Sequence, residues 1–385
     1  MPFVTSLVAG GLPSPLHGAL RVGCCVLGLG LADLGAGSVG DCGDAGAPEG
    51  QALGFMASYA ADVCLGPMGA TGVAVVLSTP GGNLGLGAAG LADAANDLEV
   101  EALTLFRVGP LTDLFTAALV LRLVDASLLD LTDTLADHLP AASTDLPITL
   151  RDLLAHRSGL RDYTTISGLD RAAPGDPTAV LLDVIRRGLT QDPGTKDADS
   201  RTNGLALGLV VESVLGVPYG QALHEHVLDP FGLGATVVDG FEPTPDTLAL
   251  GHDAQDRPAS EAIHPTLLGG ALSVASTTTD VERLARLILE DEAFLLAATR
   301  QEALFPAGGA FGEDGHGFGV RLAHRDGDET VEAGGRHPSG YGASLVCLRD
   351  DGACAVVLAT GRPANTALGA EVGARYAQGT LPAEP

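Results

Sequence analysis

The first stretch that could carry chemistry is a predicted tight turn, Phe106–Gly109, followed by a predicted amphipathic helix that runs to about Leu131. Such a turn commonly presents a reactive side chain at the start of the helix, with a second group three residues on and on the same face. Those two positions are Pro110 and Asp113. Proline carries no nucleophile. Both residues nevertheless suit the start of a helix, because the N–H that proline lacks would have no intrahelical partner there and aspartate interacts favourably with the helix dipole.

Composition restricts the partners that the protein could take. The formal net charge is −27, which argues against nucleic acid or an anionic membrane surface as a partner. Lys196 is the only lysine and tryptophan is absent, so aromatic platforms for sugars or bases are scarce. At 385 residues, with 46% hydrophobic residues, the chain can form a sizeable core. A small molecule or another protein is therefore the expected partner.

The six cysteines do not predict a metal site. They lack the C-x-x-C and Cys/His spacings of zinc centres, so no cofactor is expected from them. Two of them, Cys347 and Cys354, flank a turn-like segment and could face each other across a hairpin. The sequence favours two separate thiols over a bridge at these positions.

Residues 1–50 form a Gly/Ala-rich extension without regular periodicity. Residues 1–20 contain no Lys or Arg, and Gly10, Gly11, Pro13 and Pro15 interrupt the apolar run that a signal peptide needs, which favours a cytoplasmic over a secreted or periplasmic location. The longest apolar stretch, Val22 to Leu31, is too short to span a bilayer. We expect no transmembrane segment.

Beyond residue 50 the pattern predicts strands, then many helices, then strands again. Thr149 and Asp152 form a capping-box pattern at the start of a short helix, and a last helix is expected within residues 271–290. This order predicts an α/β fold of the α+β type, with an antiparallel β-sheet flanked by helices and an inserted, mostly helical region. We expect the sheet part at about 51–108 and 312–385, and the helical part at about 109–311.

Several ordered segments resemble one family. Ile148-Thr-Leu-Arg-Asp-Leu-Leu-Ala-His-Arg-Ser-Gly-Leu160 is similar to T-I-R-x-L-L-x-H-T-S-G-L, and Ala333-Gly-Gly-Arg-His-Pro-Ser-Gly-Tyr341 resembles G-H-T-G-G-x-P-G-Y. Segments 227–236 and 268–276 resemble two further motifs of the group. The family is that of the β-lactamase-related serine hydrolases, which includes class C β-lactamases, penicillin-binding proteins, esterases and D-aminopeptidases.

The resemblance implies three catalytic motifs, and all three are substituted here. Pro110 and Asp113 stand at the serine and lysine of S-x-x-K, where serine attacks an acyl carbon and lysine helps to remove its proton. Asp199 and Arg201 stand at the tyrosine and asparagine of Y-x-N, and Glu332 stands at the cation of K/H-T-G. The expected function is a non-catalytic homologue that binds a ligand or a partner, or serves as a scaffold.

Two alternatives stay open. A hydrolase of amidase, esterase or β-lactamase type could use replacement residues, or Asp113, Asp199 and Glu332 could form an acid/base pair or bind Mg²⁺ or Ca²⁺ through oxygen ligands. Thr112 points away from the site, and His156 is interpreted as a hydrogen-bonded structural histidine. The following residues are candidates for the cleft or for binding: Asp113, Asp199, Ser200, Arg201, Glu332 and His337, the last in a predicted exposed loop. Ser158 and Ser339 are further serines near the predicted motifs.

Overall fold

The computed structural model describes residues 49–68, 70–253, 257–259, 262–304, 314–325, 328–349 and 352–361. The predicted extension lies outside the described residues, except that residues 49 and 50 begin the first helix. No single described helix has the length and apolar character needed to cross a bilayer, and one bent pair, Arg201–Leu215 with Tyr219–Phe231, passes that test only when taken together.

Eleven strands and eleven α-helices are found in the described part of the chain. The strands are β1 (Ala70–Ser78), β2 (Leu84–Asp93), β3 (Leu98–Glu99), β4 (Phe106–Arg107), β5 (Val237–Val238), β6 (Val274–Ser276), β7 (Gly315–His316), β8 (Arg321–Arg325), β9 (Asp328–His337), β10 (Tyr341–Leu348) and β11 (Cys354–Gly361). The helices are α1 (Glu49–Met68), α2 (Thr112–Asp125), α3 (Leu135–His138), α4 (Leu150–Leu154), α5 (Pro177–Arg186), α6 (Arg201–Leu215), α7 (Tyr219–Leu223), α8 (Asp229–Phe231), α9 (Gly269–Leu272), α10 (Thr278–Glu290) and α11 (Ala297–Ala303).

The main sheet has eight strands in the order β3-β2-β1-β11-β10-β9-β8-β7, and every pair in it is antiparallel. The first strands of the chain therefore meet the last ones at β1 and β11, as the sequence predicts. A second sheet of three strands, β4-β6-β5, lies beside it. The long helical region is inserted in the chain between β3 and β7, that is, between the first and the last strands of the main sheet. This arrangement is the predicted fold class.

Both faces of the central strands are covered. In β1, Val73 and Val75 belong to one apolar cluster with α1, whereas Ala74 and Val76 belong to the large core that includes α2. Because successive side chains point to opposite faces, a strand buried on both sides reads as a continuous apolar run. A Cβ at Gly87 would lie 2.2 Å from the backbone of Ala57 in α1, so glycine allows this close approach.

Helix α2 differs from its prediction as an amphipathic helix. It ends at Asp125, and buried residues occupy all of its sides. The helix lies in the middle of the helical part and contacts α6 and α9, so little of it is left to face water. The partly buried residues lie towards its two ends: Asp113 in the first turn, and Arg122, Val124 and Asp125 in the last.

Two further predictions need correction. The preference for separate thiols at Cys347 and Cys354 was wrong: these residues are register partners on β10 and β11 and form a disulfide. The helix predicted within 271–290 is α10, with Thr277 as its N-cap, but it is not the last, since α11 follows it. The capping box of Thr149 and Asp152 is present as predicted, with both reciprocal hydrogen bonds.

Candidate active site

A cleft with a volume of about 310 Å³ lies where the start of α2 faces β9. Its walls come from the first turn of α2, the segment before α6, the β7–β8 hairpin, and strands β9 and β10. Five of the predicted positions line it together: Pro110, Asp113, Asp199, Arg201 and Glu332. Residues that are more than 200 positions apart in the chain are thus brought to one cavity.

Pro110 stands in a single 3-10 turn, Gly109–Leu111, that leads into α2. Its ring packs against the backbone of β9, where a Cβ at Gly335 would lie 2.7 Å from Cγ of Pro110. Gly335 also has φ of +154°, a conformation that disfavours other residues. The position at the N-terminal end of α2 is therefore filled by an apolar ring that can neither act as a nucleophile nor transfer a proton.

Asp113 is held in a buried ion pair. Its Oδ2 accepts a hydrogen bond from Nη1 of Arg201 at 2.5 Å, and Nε2 of His156 lies 3.4 Å from the same oxygen. The side chains of Asp113 and Arg201 are 12% and 13% exposed, so each charge depends on the other for compensation. The carboxylate is consequently engaged by two neighbours and is not poised as an isolated base.

His156 is oriented from behind by hydrogen bonds. Its Nδ1 accepts from the amide nitrogen of Asn203 at 3.1 Å and from the backbone N–H of Ser200 at 3.4 Å. Ser158 in turn donates to Oδ1 of Asn203, which fixes the orientation of that amide. The network assigns the imidazole proton to Nε2, the nitrogen that faces Asp113. His156 is thus the hydrogen-bonded histidine that was expected, although it also lines the cleft.

Asp199 and His316 form a second ion pair at the mouth of the cleft. Nε2 of His316 lies 3.1 Å from Oδ1 of Asp199, and Nδ1 lies 3.2 Å from Oδ2 of Asp197. The hydrogen bond from His316 holds the pKa of Asp199 well below its usual range, and the positive charges of His316 and Arg201 act in the same direction. Burial alone would lower the pKa of His316, but the two carboxylates outweigh burial and raise it.

The opposite wall carries Glu332, Arg321 and Ser344. Glu332 is buried and accepts a hydrogen bond from Thr330 at 2.9 Å. Arg321 is its cross-strand neighbour on β8, is exposed, and takes part in none of the ion pairs found among the described residues. Ser344 on β10 supplies the only hydroxyl among the described lining residues, and no hydrogen bond there joins it to a base.

Two predicted site residues do not line the cleft. Ser200 is 1% exposed, and its backbone rather than its hydroxyl contacts the network of His156. His337 is not in an exposed loop: it ends β9, is 3% exposed, and burial, aided by the charge of Arg107, lowers its pKa to about 3. The predicted exposed loop at His337 was wrong, because local polarity does not report which face of a segment packs inward.

The other hydroxyls considered from the sequence have structural partners. Thr112 accepts a hydrogen bond from the N–H of Val274 at 3.3 Å, and Ser339 accepts one from the N–H of Ala262 at 3.3 Å. Their placement agrees with Thr112 pointing away from the site.

The carboxylates of the cleft do not converge on one point. Asp113 faces Arg201, Asp199 faces His316, and Glu332 accepts from Thr330. Within the described part of the chain, no group of three or more His, Cys, Asp or Glu side chains is arranged to hold a metal ion. A shared cation at Asp113, Asp199 and Glu332 is therefore not supported, since each acid makes its shortest contact with a different residue.

Three polar residues that line the cleft were not identified from the sequence: His316, Arg321 and Ser344. His316 belongs to a strand of two residues, and its partners Asp197 and Asp199 lie more than a hundred positions earlier. Ser344 lies in an apolar strand run that predicts only burial. No motif spacing could have placed these side chains at the cleft.

Comparisons with known proteins place this geometry in context. A family model described as Beta-lactamase matches residues 63–378. The chain is 29% identical over 217 residues to penicillin-binding protein 4 of Amycolatopsis lactamdurans, which covers 53% of this chain and 56% of that protein. It is 27% identical over 197 residues to the teichoic acid D-alanine hydrolase of Staphylococcus aureus, which covers 50% of this chain and 47% of the hydrolase. The chain thus spans about half the length of these curated relatives.

Among solved structures, the D-amino acid amidase from Ochrobactrum anthropi SV3 complexed with L-phenylalanine amide is similar over 85% of this chain and 98% of the amidase. The TM-score is 0.71 and the sequence identity is 22%. At this identity the likeness speaks for a shared fold and not for a shared activity.

Proposed function

The chain belongs to the Beta-lactamase family, and within it we propose a ligand-binding protein whose cleft takes a small amine-bearing molecule without forming an acyl-enzyme. The observation that carries this proposal is the state of the two positions at the start of α2. Pro110 offers no nucleophile, and Asp113 is committed to Arg201. Acyl transfer in this fold needs a hydroxyl and a neighbouring base at that point.

The ligand class follows from the charges that remain available in the cleft. Asp199 is 67% exposed at the side chain, and its Oδ2 makes none of the hydrogen bonds found among the described residues. A ligand ammonium could bind there by a charge-assisted hydrogen bond. Arg321 on the opposite wall would receive a carbonyl or carboxylate. One relative is named a teichoic acid D-alanine hydrolase and one solved neighbour a D-amino acid amidase, which supports an amino-acid derivative as the ligand.

The test uses phenylalanine amide of either hand as the probe, with binding followed by calorimetry and thermal shift. We expect saturable binding without release of phenylalanine. Asp199→Asn should weaken binding about tenfold, the loss of one ion pair of about 1.4 kcal/mol. Asp145→Asn removes the same charge from an exposed residue outside the cleft and should leave binding unchanged.

Covalent labelling separates the proposal from its alternative. A fluorophosphonate or a fluorescent penicillin should leave the intact mass of the protein unchanged. An adduct at Ser344, the hydroxyl on the cleft wall, or turnover of the amide would favour a hydrolase with replacement residues and contradict the proposal. Absence of both binding and labelling would also count against it.

A further inference from the structure

The contact between His316 and the segment before α6 joins the two walls of the cleft. Both ring nitrogens of His316 are engaged, Nδ1 with Asp197 at 3.2 Å and Nε2 with Asp199 at 3.1 Å. The backbone N–H of His316 also donates to Oδ2 of Asp197 at 3.2 Å. The side chain is 20% exposed and its ring centroid lies 5.3 Å from that of His156. One histidine is thus held by two carboxylates of a single short segment.

This arrangement requires that both ring nitrogens of His316 carry a proton. A neutral imidazole has one N–H and one lone pair, so it can donate to only one of two carboxylates. The second carboxylate would then face a lone pair, which is repulsive. The imidazolium donates from both nitrogens and satisfies Asp197 and Asp199 together.

Other charged groups around His316 compete only weakly for these carboxylates. Nε of Arg157 lies 3.7 Å from Asp197 and Nη2 of Arg201 lies 3.9 Å from Asp199, while Nδ1 of His156, which accepts hydrogen bonds from Ser200 and Asn203, also lies 3.9 Å from Asp199. All three distances exceed those made by His316. On β8, Arg321 is the cross-strand neighbour of His316 and adds a like charge to that wall. The two carboxylates are therefore bound most closely by His316.

The strand that carries His316 has few other attachments. β7 pairs with β8 through two residue pairs, Gly315 with Leu322 and His316 with Arg321. The loop that follows is held separately, by two backbone hydrogen bonds, from Phe318 to Ala303 and from Gly319 to Leu154, and by the buried side chains of Phe318 and Val320. Among the described residues, the contacts of His316 are what tie β7 itself to the helical part of the chain.

We propose that His316, Asp197 and Asp199 form a pH-sensitive latch that holds β7 against the helical part, closed with the imidazolium and released with the neutral imidazole. Release frees Oδ1 of Asp199 at the mouth of the cleft from its contact with His316. The latch lies at the cleft of the proposed function. The latch itself does not depend on that function; only the identity of the ligand that enters the cleft does.

The pH window follows from the directions of the two shifts. His316 has a raised pKa, so its contribution is complete below about 6.5, the ordinary value, and is lost as the pH rises through the raised value. Asp199 has a lowered pKa, so its contribution is present above about 3.9 and is lost only in strong acid. The latch is therefore closed between about pH 4 and 6.5 and opens above the pKa of His316.

The experiment combines NMR titration of the histidine rings with hydrogen exchange of the full chain, both without ligand. We expect His316 to titrate above the ordinary histidine range. Protection factors at residues 315–317, corrected for the intrinsic pH effect, should fall at least tenfold as His316 loses its proton. Because no ligand is used, failure of the latch and failure of the proposed function remain distinguishable.

Variants sharpen the test. His316→Gln should lose protection at every pH, and added imidazole should restore part of it in His316→Gly. Asp197→Asn leaves the ring in place and should move the pKa of His316 downward. His324→Gln is the matched control, since His324 also pairs with a carboxylate, Asp314, but lies outside the cleft. Unchanged protection while His316 titrates, or the same loss in His324→Gln, would overturn the latch.

Discussion

At the scale of single residues, the pair Asp113–Arg201 shows how the family's site has been rebuilt. The resemblance puts a lysine and an asparagine at these positions, and here a carboxylate and a guanidinium bond to each other across the cleft floor. A Cβ at Gly204 would lie 2.9 Å from Oδ1 of Asp113, so the carboxylate is also enclosed by the first turns of α6. The two substitutions therefore compensate each other, because either charge alone would be buried without a partner.

Removal of one member should be costly. We expect Asp113→Ala to lower the free energy of unfolding by about 3 kcal/mol, since it leaves the Arg201 charge buried and uncompensated. Arg201→Ala should cost a similar amount, and the double variant should cost less than the sum of the two. Urea unfolding of all four proteins measures this coupling. As a control, Asp183→Ala breaks an exposed helix ion pair with Arg187 and should cost under about 1 kcal/mol. If the losses of stability at positions 113 and 201 simply add in the double variant, the two substitutions do not compensate each other.

At the scale of elements, the β10–β11 hairpin supports the wall of the cleft. Ser344 and the lining residues Ala343 and Leu345 belong to β10, whose far end is bridged to β11 by Cys347 and Cys354. Both sulfur-bearing side chains are buried in the main core. The bridge therefore closes the hairpin at the end opposite the cleft and restricts fraying of the strand that carries the wall.

The disulfide can be tested by peptide mapping of the unreduced protein, which should recover one peptide pair linked through Cys347 and Cys354. Its seven-residue separation corresponds to a small loop, so Cys347→Ala with Cys354→Ala should lower the free energy of unfolding by about 2 kcal/mol. Cys64→Ala, which removes a buried free thiol on α1, is the control for loss of side-chain volume. Full alkylation of both cysteines in the native protein without reductant would refute the bridge.

At the scale of the whole molecule, the charge balance sets a background for every local pair. A formal net charge of −27 makes the surface self-repulsive, whereas the pairs at Asp113 and at Arg107, which bonds Asp239, are shielded from solvent. Salt screens exposed charges far more than buried ones. Screening should therefore relieve repulsion without dissolving the ion pairs that organise the cleft.

This difference predicts a salt dependence of stability. The melting temperature should rise by a few degrees when NaCl is increased from about 0.01 M to about 0.15 M, where the Debye length falls from about 30 Å to about 8 Å. The coupling between Asp113 and Arg201 should change little over the same range. An uncharged osmolyte of equal osmolality serves as the control. A melting temperature that falls with salt would show that exposed ion pairs outweigh the repulsion.

A substantial part of the fold could be predicted from patterns along the sequence. The order of strands and helices, the capping box at Thr149 and the substituted motif positions were all read from neighbouring residues. This works because capping and helix or strand periodicity depend on residues a few positions apart. Ordered motifs also carry the family, since they keep their sequence when the reactive residues between them change.

Only the tertiary structure decided which groups meet. It paired Asp113 with Arg201, joined Cys347 to Cys354, buried His337 and brought His316 to Asp197 and Asp199. Each of these outcomes depends on how distant segments pack, and local polarity or spacing carries no information about that. The residue types at the cleft were therefore available from the sequence, whereas their charges acquired partners, and so their chemistry, only when the sheet and the helical region came together.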